Sequence, residues 1–379
     1  MYKVKLGDIC TVVSGSTPKS NVEEYWNGSI KWITPAEITS DSYIITDTER
    51  HITDKAVEKT NLTLLPVGTV LLSSRAPIGK TAITGAEMYC NQGFKNLICS
   101  ERIYNKYLYF FLNSKVDYLN ELGRGATFKE ISKGIVEEVE IPLPSLDEQK
   151  NIVRHLEVIQ QLINNRKQAL STLDELVKSR FIEMFGEYSA ITTLAKVSDM
   201  VTVGIANSAT HAYCNDGVVM LRNQNIKKNQ LDDDDLIYIE PTFADKYKAK
   251  TLKTNDILVT RTGYPGIACM VPSKYEGAQT FTTLIVRVNS DSDVLPLFLC
   301  HYINSDSGKN FVAGEQVGVA QKNFGAKSLA KMPIPLPPVE LQKQYAAFVE
   351  QTDKSKFAVQ QSIDTLHTLK AKLMQDYFG

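Results

Sequence analysis

No run of about 18 consecutive apolar residues occurs in the 379-residue chain, so no segment reads as a membrane-spanning helix. The opening residues, Met1-Tyr2-Lys3-Val4-Lys5-Leu6-Gly7-Asp8, lack the apolar stretch of a secretory signal. They read as the start of a folded domain, and a cytoplasmic protein is expected. Cysteine is sparse and unpatterned: Cys10, Cys90, Cys99, Cys214, Cys269 and Cys300 include no C-x-x-C pair and no histidine at zinc spacing. Reduced, mostly buried thiols are expected, and no metal. Charge of one sign is also missing, since 42 Lys and Arg face 43 Asp and Glu, for a net charge of −1. That excludes a protein that coats nucleic acid through charge alone. It leaves open a local basic face, and it hints that partner subunits carry part of any grip on nucleic acid.

Catalytic patterns are missing as well. Gly79-Lys80-Thr81 resembles the end of a phosphate-binding loop, but Ser74 stands where the first glycine is required. His51, His155, His211, His301 and His367 are scattered, with no serine or cysteine motif beside them. Asp232-Asp233-Asp234-Asp235 reads as a solvated run of carboxylates on a loop rather than a metal cluster. No loop for S-adenosylmethionine and no nuclease carboxylate–lysine cluster is present. The expectation is a chain that performs no catalysis and needs no cofactor.

What is present is a duplication. Ile141-Pro142-Leu143-Pro144, followed by Leu146, Glu148 and Gln149, recurs 193 residues later as Ile334-Pro335-Leu336-Pro337, followed by Val339, Leu341 and Gln342. The stretch after each copy closes on Phe-Gly, at Phe185-Gly186 and Phe378-Gly379. Weaker echoes precede them: Gln92 to Ile98 with Gln279 to Ile285, Val70 to Ser73 with Ile257 to Thr260, and Tyr107 to Ser114 with Phe298 to Ser305. Two copies are too few for a solenoid. They suggest a duplicated unit whose copies are related by a pseudo-twofold axis.

Each globular unit combines β-branched clusters with turn signals such as Pro66-Val67-Gly68 and Tyr264-Pro265-Gly266. An α+β unit with a twisted, mostly antiparallel sheet is expected, with short helices near 104–122 and 295–310. From Ile152 an apolar series runs Leu156, Ile159, Ile163, Leu170, Leu173, Val177 and Met184, with Arg166 and Arg180 in two of its slots. Ser145 and Glu148 form a capping-box pattern at its start. The second series is Tyr345, Phe348, Thr352, Val359, Ile363, Leu366, Leu373 and Tyr377. Forty helical residues make a rod of about 60 Å. Such a narrow stripe needs a partner, so two antiparallel helices forming a coiled coil are expected. A spacer role competes with a hairpin that merely fills space. The expected layout is globular unit 1–144, helix 145–186, globular unit 187–337 and helix 338–379.

The order of these blocks resembles the specificity subunits of type I restriction–modification systems. The features that carry the likeness are Leu6-Gly7-Asp8-Ile9-Cys10 with Val13-Ser14-Gly15-Ser16-Thr17-Pro18, Trp32 to Ile38, Leu71 to Lys80, and the repeated I-P-L-P entry to each helix. The resemblance covers essentially the whole chain. It implies two target recognition domains reading the halves of a split double-stranded DNA site, with the helices fixing their separation. It also implies two methyltransferase subunits docked on the helices, and restriction or motor subunits joining for cleavage. A related combined nuclease–methylase system that cuts outside its site would use a similar subunit. A stand-alone catalytic protein with a helical dimerisation hairpin is a further reading. The second copy departs from the pattern: Leu194-Ala195-Lys196-Val197 lacks the Gly-Asp, and Arg222-Asn223-Gln224-Asn225 replaces Thr34-Pro35-Ala36-Glu37.

Phosphate contacts come from cationic side chains, amides and small hydroxyls on loops. Two loop types, each present twice, have that composition: Ser73 to Lys80 with Thr260 to Tyr264, and Gly123 to Lys129 with Gly318 to Asn323. They point to Arg75, Lys80, Arg124, Thr127, Lys129, Arg261, Gln321 and Lys322, although solvated turns would look the same. Base reading needs forked donors and acceptors. Arg222, Asn223, Gln224 and Asn225 supply a dense set, against the competing view of a polar loop without a partner. Lys19, Thr34 and Glu37 are the weaker candidates in the first unit.

Overall fold

The computed structural model describes residues 2–125, 129–206, 209–315 and 324–379. It divides into two units: residues 1–167 with 360–379, and residues 168–359.

The first unit is built on a five-stranded sheet in the order Cys10–Ser14, Lys95–Cys99, Val70–Leu72, Thr81–Thr84, Ile44–Ile45. Its central strands read Val70-Leu71-Leu72 and Thr81-Ala82-Ile83-Thr84 and are buried throughout, as β-branched residues covered on both faces require. A smaller sheet places Trp26–Ile33 between Arg50–Ile52 and Tyr89–Cys90. The strand Lys3–Lys5 pairs with Glu140–Pro142 and closes the unit just before the long helix. The second unit repeats the plan. Its main sheet runs Ser198–Val203, Leu284–Val288, Ile257–Val259, Ala268–Met270. A second sheet contains Tyr213–Cys214, Ile237–Ile239, Val218–Leu221 and Gln279–Thr280, and Ala190–Thr193 pairs with Pro333–Pro335. Most pairings are antiparallel. Parallel ones join Ile44–Ile45 to Thr81–Thr84 and Trp26–Ile33 to Tyr89–Cys90 and, in the matching place of the second unit, Val218–Leu221 to Gln279–Thr280. The short helices expected near 104–122 and 295–310 are Asn105–Ser114 and Val116–Leu122 in one unit, Pro296–Ile303 and Asp306–Gly314 in the other.

The long helices span Leu146–Phe185 and Val339–Phe378. Ser145 Oγ accepts the Glu148 amide at 3.3 Å, which forms the N-cap half of the expected capping box. The helices pair antiparallel, as their contacts show. In the first unit, His155 meets Tyr377 at 3.1 Å and Lys370 donates to Gln160 at 2.6 Å. In the second, Lys356 lies 2.6 Å from Asp174, and the Arg180 guanidinium lies over the Phe348 ring. The seam departs from strict heptads. Ile152, Leu156, Ile159, Ile163 and Val177 are buried as expected, but beyond Val177 the buried residues are Phe181 and Phe185. Arg180 and Met184 are half-buried, Arg180 over the Phe348 ring and Met184 against the second unit's core. A straight helix at 3.6 residues per turn drifts against a 3.5 repeat, and aromatic partners in the second unit reward the shift: Phe181 and Phe185 pack on Phe298 and Tyr345. Phe378 fills the matching place in the first unit, against Tyr107 and Phe111.

The repeated entry motif has a structural explanation. Gln149 is fully buried; its Nε2 donates to Arg102 O and Pro144 O, and its Oε1 accepts from Tyr104 N. Gln342 repeats this with Asp293 O, Pro337 O and Leu295 N. Each glutamine rivets a long helix to the loop before a short one.

Candidate nucleic-acid interface

Each unit presents a 3-10 turn beside a hydroxyl-stapled loop. In the first unit the turn is Pro35–Glu37. Glu37 Oε1 accepts the Thr34 amide at 2.8 Å, and Oε2 accepts the Glu49 amide at 2.7 Å. The loop follows Val70–Leu72. Ser73 Oγ donates to Pro77 O and accepts the Lys80 amide, both at 2.8 Å. Lys80 Nζ then reaches Pro35 O at 3.1 Å, which joins loop to turn.

The second unit repeats the device with different side chains. Its turn is Asn223–Asn225. Asn225 accepts the Arg222 amide at 3.0 Å and donates to Asp232 O and Asp234 O. Thr260 Oγ1 donates to Tyr264 O at 2.7 Å and accepts the Ile267 amide at 2.9 Å. Asn223 Nδ2 donates to Thr262 Oγ1 at 2.9 Å, again joining turn to loop. Gly79 and Gly266 close the two loops at φ 96° and 90°, where an L side chain is strained. A Cβ at Gly266 would lie 2.8 Å from Val312. The staple sets Arg75 in register with Thr262, so Arg75 and Arg261 are not equivalent positions.

Two basic residues of the first unit meet at a carboxylate that sequence reasoning missed. Arg75 Nε lies 3.0 Å and Lys95 Nζ 3.2 Å from Glu130. Burial draws the Glu130 carboxyl upward, but hydrogen bonds and charge from Arg75 and Lys95 outweigh it and hold the group below its usual range. The Arg124 and Glu130 backbones bond to each other, which brings the second loop to the first. Arg124, Lys129 and Lys19 are exposed. Thr127, Gln321 and Lys322 lie outside the described residues.

In the second unit Arg222 Nη2 lies 2.9 Å and Gln224 Nε2 2.7 Å from Asp235 Oδ2. Those bonds hold the Asp235 carboxyl below its usual range. The acidic run is therefore more than a solvated loop: Asp235 clamps the turn, and Asp233 accepts from the Tyr275 hydroxyl at 2.8 Å and pairs with Lys274. Asn225 is buried with its amide committed to these loops. Arg222 Nε and Asn223 Oδ1 are buried without a hydrogen-bond partner among the described residues. Arg261 is half-buried, and its carbonyl accepts from Phe324 N. Tyr264, at the loop tip, is 84% exposed. No signal in the sequence marked Glu130, and the acidic run holding Asp235 was read as solvated, because each matters through cations placed beside it by the fold.

A family model described as the type I restriction modification DNA specificity domain matches residues 1–173 and again 195–366. The type I restriction enzyme MjaIX specificity subunit of Methanocaldococcus jannaschii is 42% identical over 186 residues, 47% of this chain and 43% of that subunit. That match therefore spans less than half of the relative's length. The MjaVIII specificity subunit of the same organism is 21% identical over 394 residues, covering 98% of this chain and 90% of that subunit. A solved structure described as the basis of complex assembly and conformational transition of the type I R-M system superposes with a TM-score of 0.65. Its identity is 17%, over 99% of this chain and 97% of the other. The type I restriction-modification S subunit from M. genitalium gives 0.53 at 13% identity, over 100% and 96%. At these identities the structural likeness speaks for the fold alone. The family model, matching both halves, decides the assignment: the chain belongs to the type I restriction modification DNA specificity domain family.

Proposed function

We propose that the chain is a non-catalytic, sequence-specific DNA-binding subunit that recognises a bipartite site and directs methyltransferase and restriction subunits to it. Residues 1–144 and 187–337 are the two target recognition domains in this reading, and 145–186 with 338–379 form the spacer. Two methyltransferase subunits bind the helices, and the assembly works in the cytoplasm. The observation that supports this best is the same turn-plus-loop device, built twice from different side chains. One scaffold bearing two sets of surface groups suits two different half-sites.

The site residues then divide by role. Lys19, Arg75, Lys80, Arg124, Lys129 and Arg261, with Thr127, Gln321 and Lys322, serve phosphate contacts. Arg222, Asn223 and Gln224 serve base reading in this assignment, as a dense set of forked donors and acceptors on one turn. Thr34, Glu37 and Asn225 hold the turns in shape. Co-expression with a type I methyltransferase subunit, followed by methylation mapping, tests the proposal. A split methylated site is expected; a contiguous one would overturn it.

A further inference from the structure

Cys10 and Cys99 are direct partners across the antiparallel strands Cys10–Ser14 and Lys95–Cys99. The amide of Ser100 donates to the carbonyl of Ile9 at 3.0 Å. A bond between the residue after one partner and the residue before the other marks Cys10–Cys99 as a non-hydrogen-bonded pair. At such positions Cα atoms stand about 4.5 Å apart and the side chains lie closest. That separation falls within the range a disulfide needs, about 4.4 to 6.8 Å. Both thiols are free. Cys10 is buried and Cys99 is partly exposed. The neighbouring Cys99 thiol, together with burial, pushes the Cys10 thiol far up, so Cys99 is the group that meets reagents first.

We infer that Cys10 and Cys99 form an oxidative modification site in which a small-molecule disulfide converts the two thiols to a cross-strand disulfide. The Cys99 thiolate, its proton given to water, attacks one sulfur of the oxidant and expels one small thiolate. Cys10 then loses its proton, attacks the Cys99 sulfur and expels the second thiol. Two S–H groups are oxidised, and one small disulfide is reduced to two thiols. The bond closes a loop of about 90 residues that carries Lys19, the Pro35–Glu37 turn and the Arg75 loop. It therefore staples the first unit without touching those residues. The second unit offers no counterpart: neither Ser198↔Val288 nor Val201↔Val286, the pairings that match it from either side of a register shift, holds a thiol.

The reduced full chain treated with glutathione disulfide tests this. Peptide mass mapping without reductant is expected to show Cys10 joined to Cys99, and the melting temperature is expected to rise by about 5 °C or more, reversibly with dithiothreitol. C10V should leave a stable Cys99–glutathione adduct and abolish the shift. The proposal is overturned if wild type stops at that adduct, if Cys99 stays unreacted while the unfolded chain reacts, or if the link joins other cysteines.

Discussion

His301 shows how far one buried side chain can bias stability. Its Nδ1 lies 2.6 Å from the Tyr345 hydroxyl, which itself reaches Val177 O. Burial, with the positive charges of Lys356 and Lys228, lowers its pKa from 6.5 to about 4. Between those values the unfolded chain binds the extra proton and the folded chain does not. Stability is therefore full above pH 6.5 and falls as pH drops toward 4, by about 3 kcal/mol in all. Urea unfolding of wild type and His301→Gln across pH 4–7 checks this, and the variant should lose most of the slope over that window. Gln149 supplies a second case. Truncating it in Gln149→Ala strands an amide and two carbonyls, at a cost of about 2 to 3 kcal/mol, measurable by urea denaturation. A wild-type midpoint would show that the rivet is dispensable. This role was invisible in the residue string, where Gln149 and Gln342 stood only as parts of the repeated entry to each helix.

At the scale of elements, the stapled loops should be separable. Thr260→Val removes the hydroxyl that ties Tyr264 O to the Ile267 amide. Thr260→Ser keeps it. In methylation mapping the valine variant is expected to lose recognition in one half-site by roughly tenfold, the scale of one lost hydrogen bond, and the serine variant to keep it. Equal loss in both halves would contradict one loop per half-site. Ser73→Ala makes the complementary change in the other half. The loops were legible in outline, because Gly79 and Gly266 sit at matched turn positions. The surroundings of their cations were not: the fold sets Arg75 against Glu130, while Thr262 takes its place in the second copy and bonds to Asn223.

For the molecule as a whole, the paired helices carry the prediction. Adding one helical turn to both helices is expected to lengthen the untouched gap of the DNA site by one or two base pairs, since a turn rises about 5.4 Å and a base step about 3.4 Å. Methylation mapping reads the gap directly, and an unchanged gap would remove the helices as the spacer. Residues Leu146–Phe185 and Val339–Phe378 form these helices without proline or glycine to interrupt them.

Duplication, the two helices and the mixed, mostly antiparallel character of each unit were determined by the residue string alone, because periodicity, caps and turns are local and recur in both copies. The tertiary structure decided which charges meet. Glu130 and Asp235 acquire their importance from Arg75, Lys95 and Arg222, held beside them by strands and turns many residues away. The seam followed the same division. Its start at Ile152 obeyed the heptad, but its end moved to Phe181 and Phe185, where the aromatic side chains of the second unit supplied the better burial.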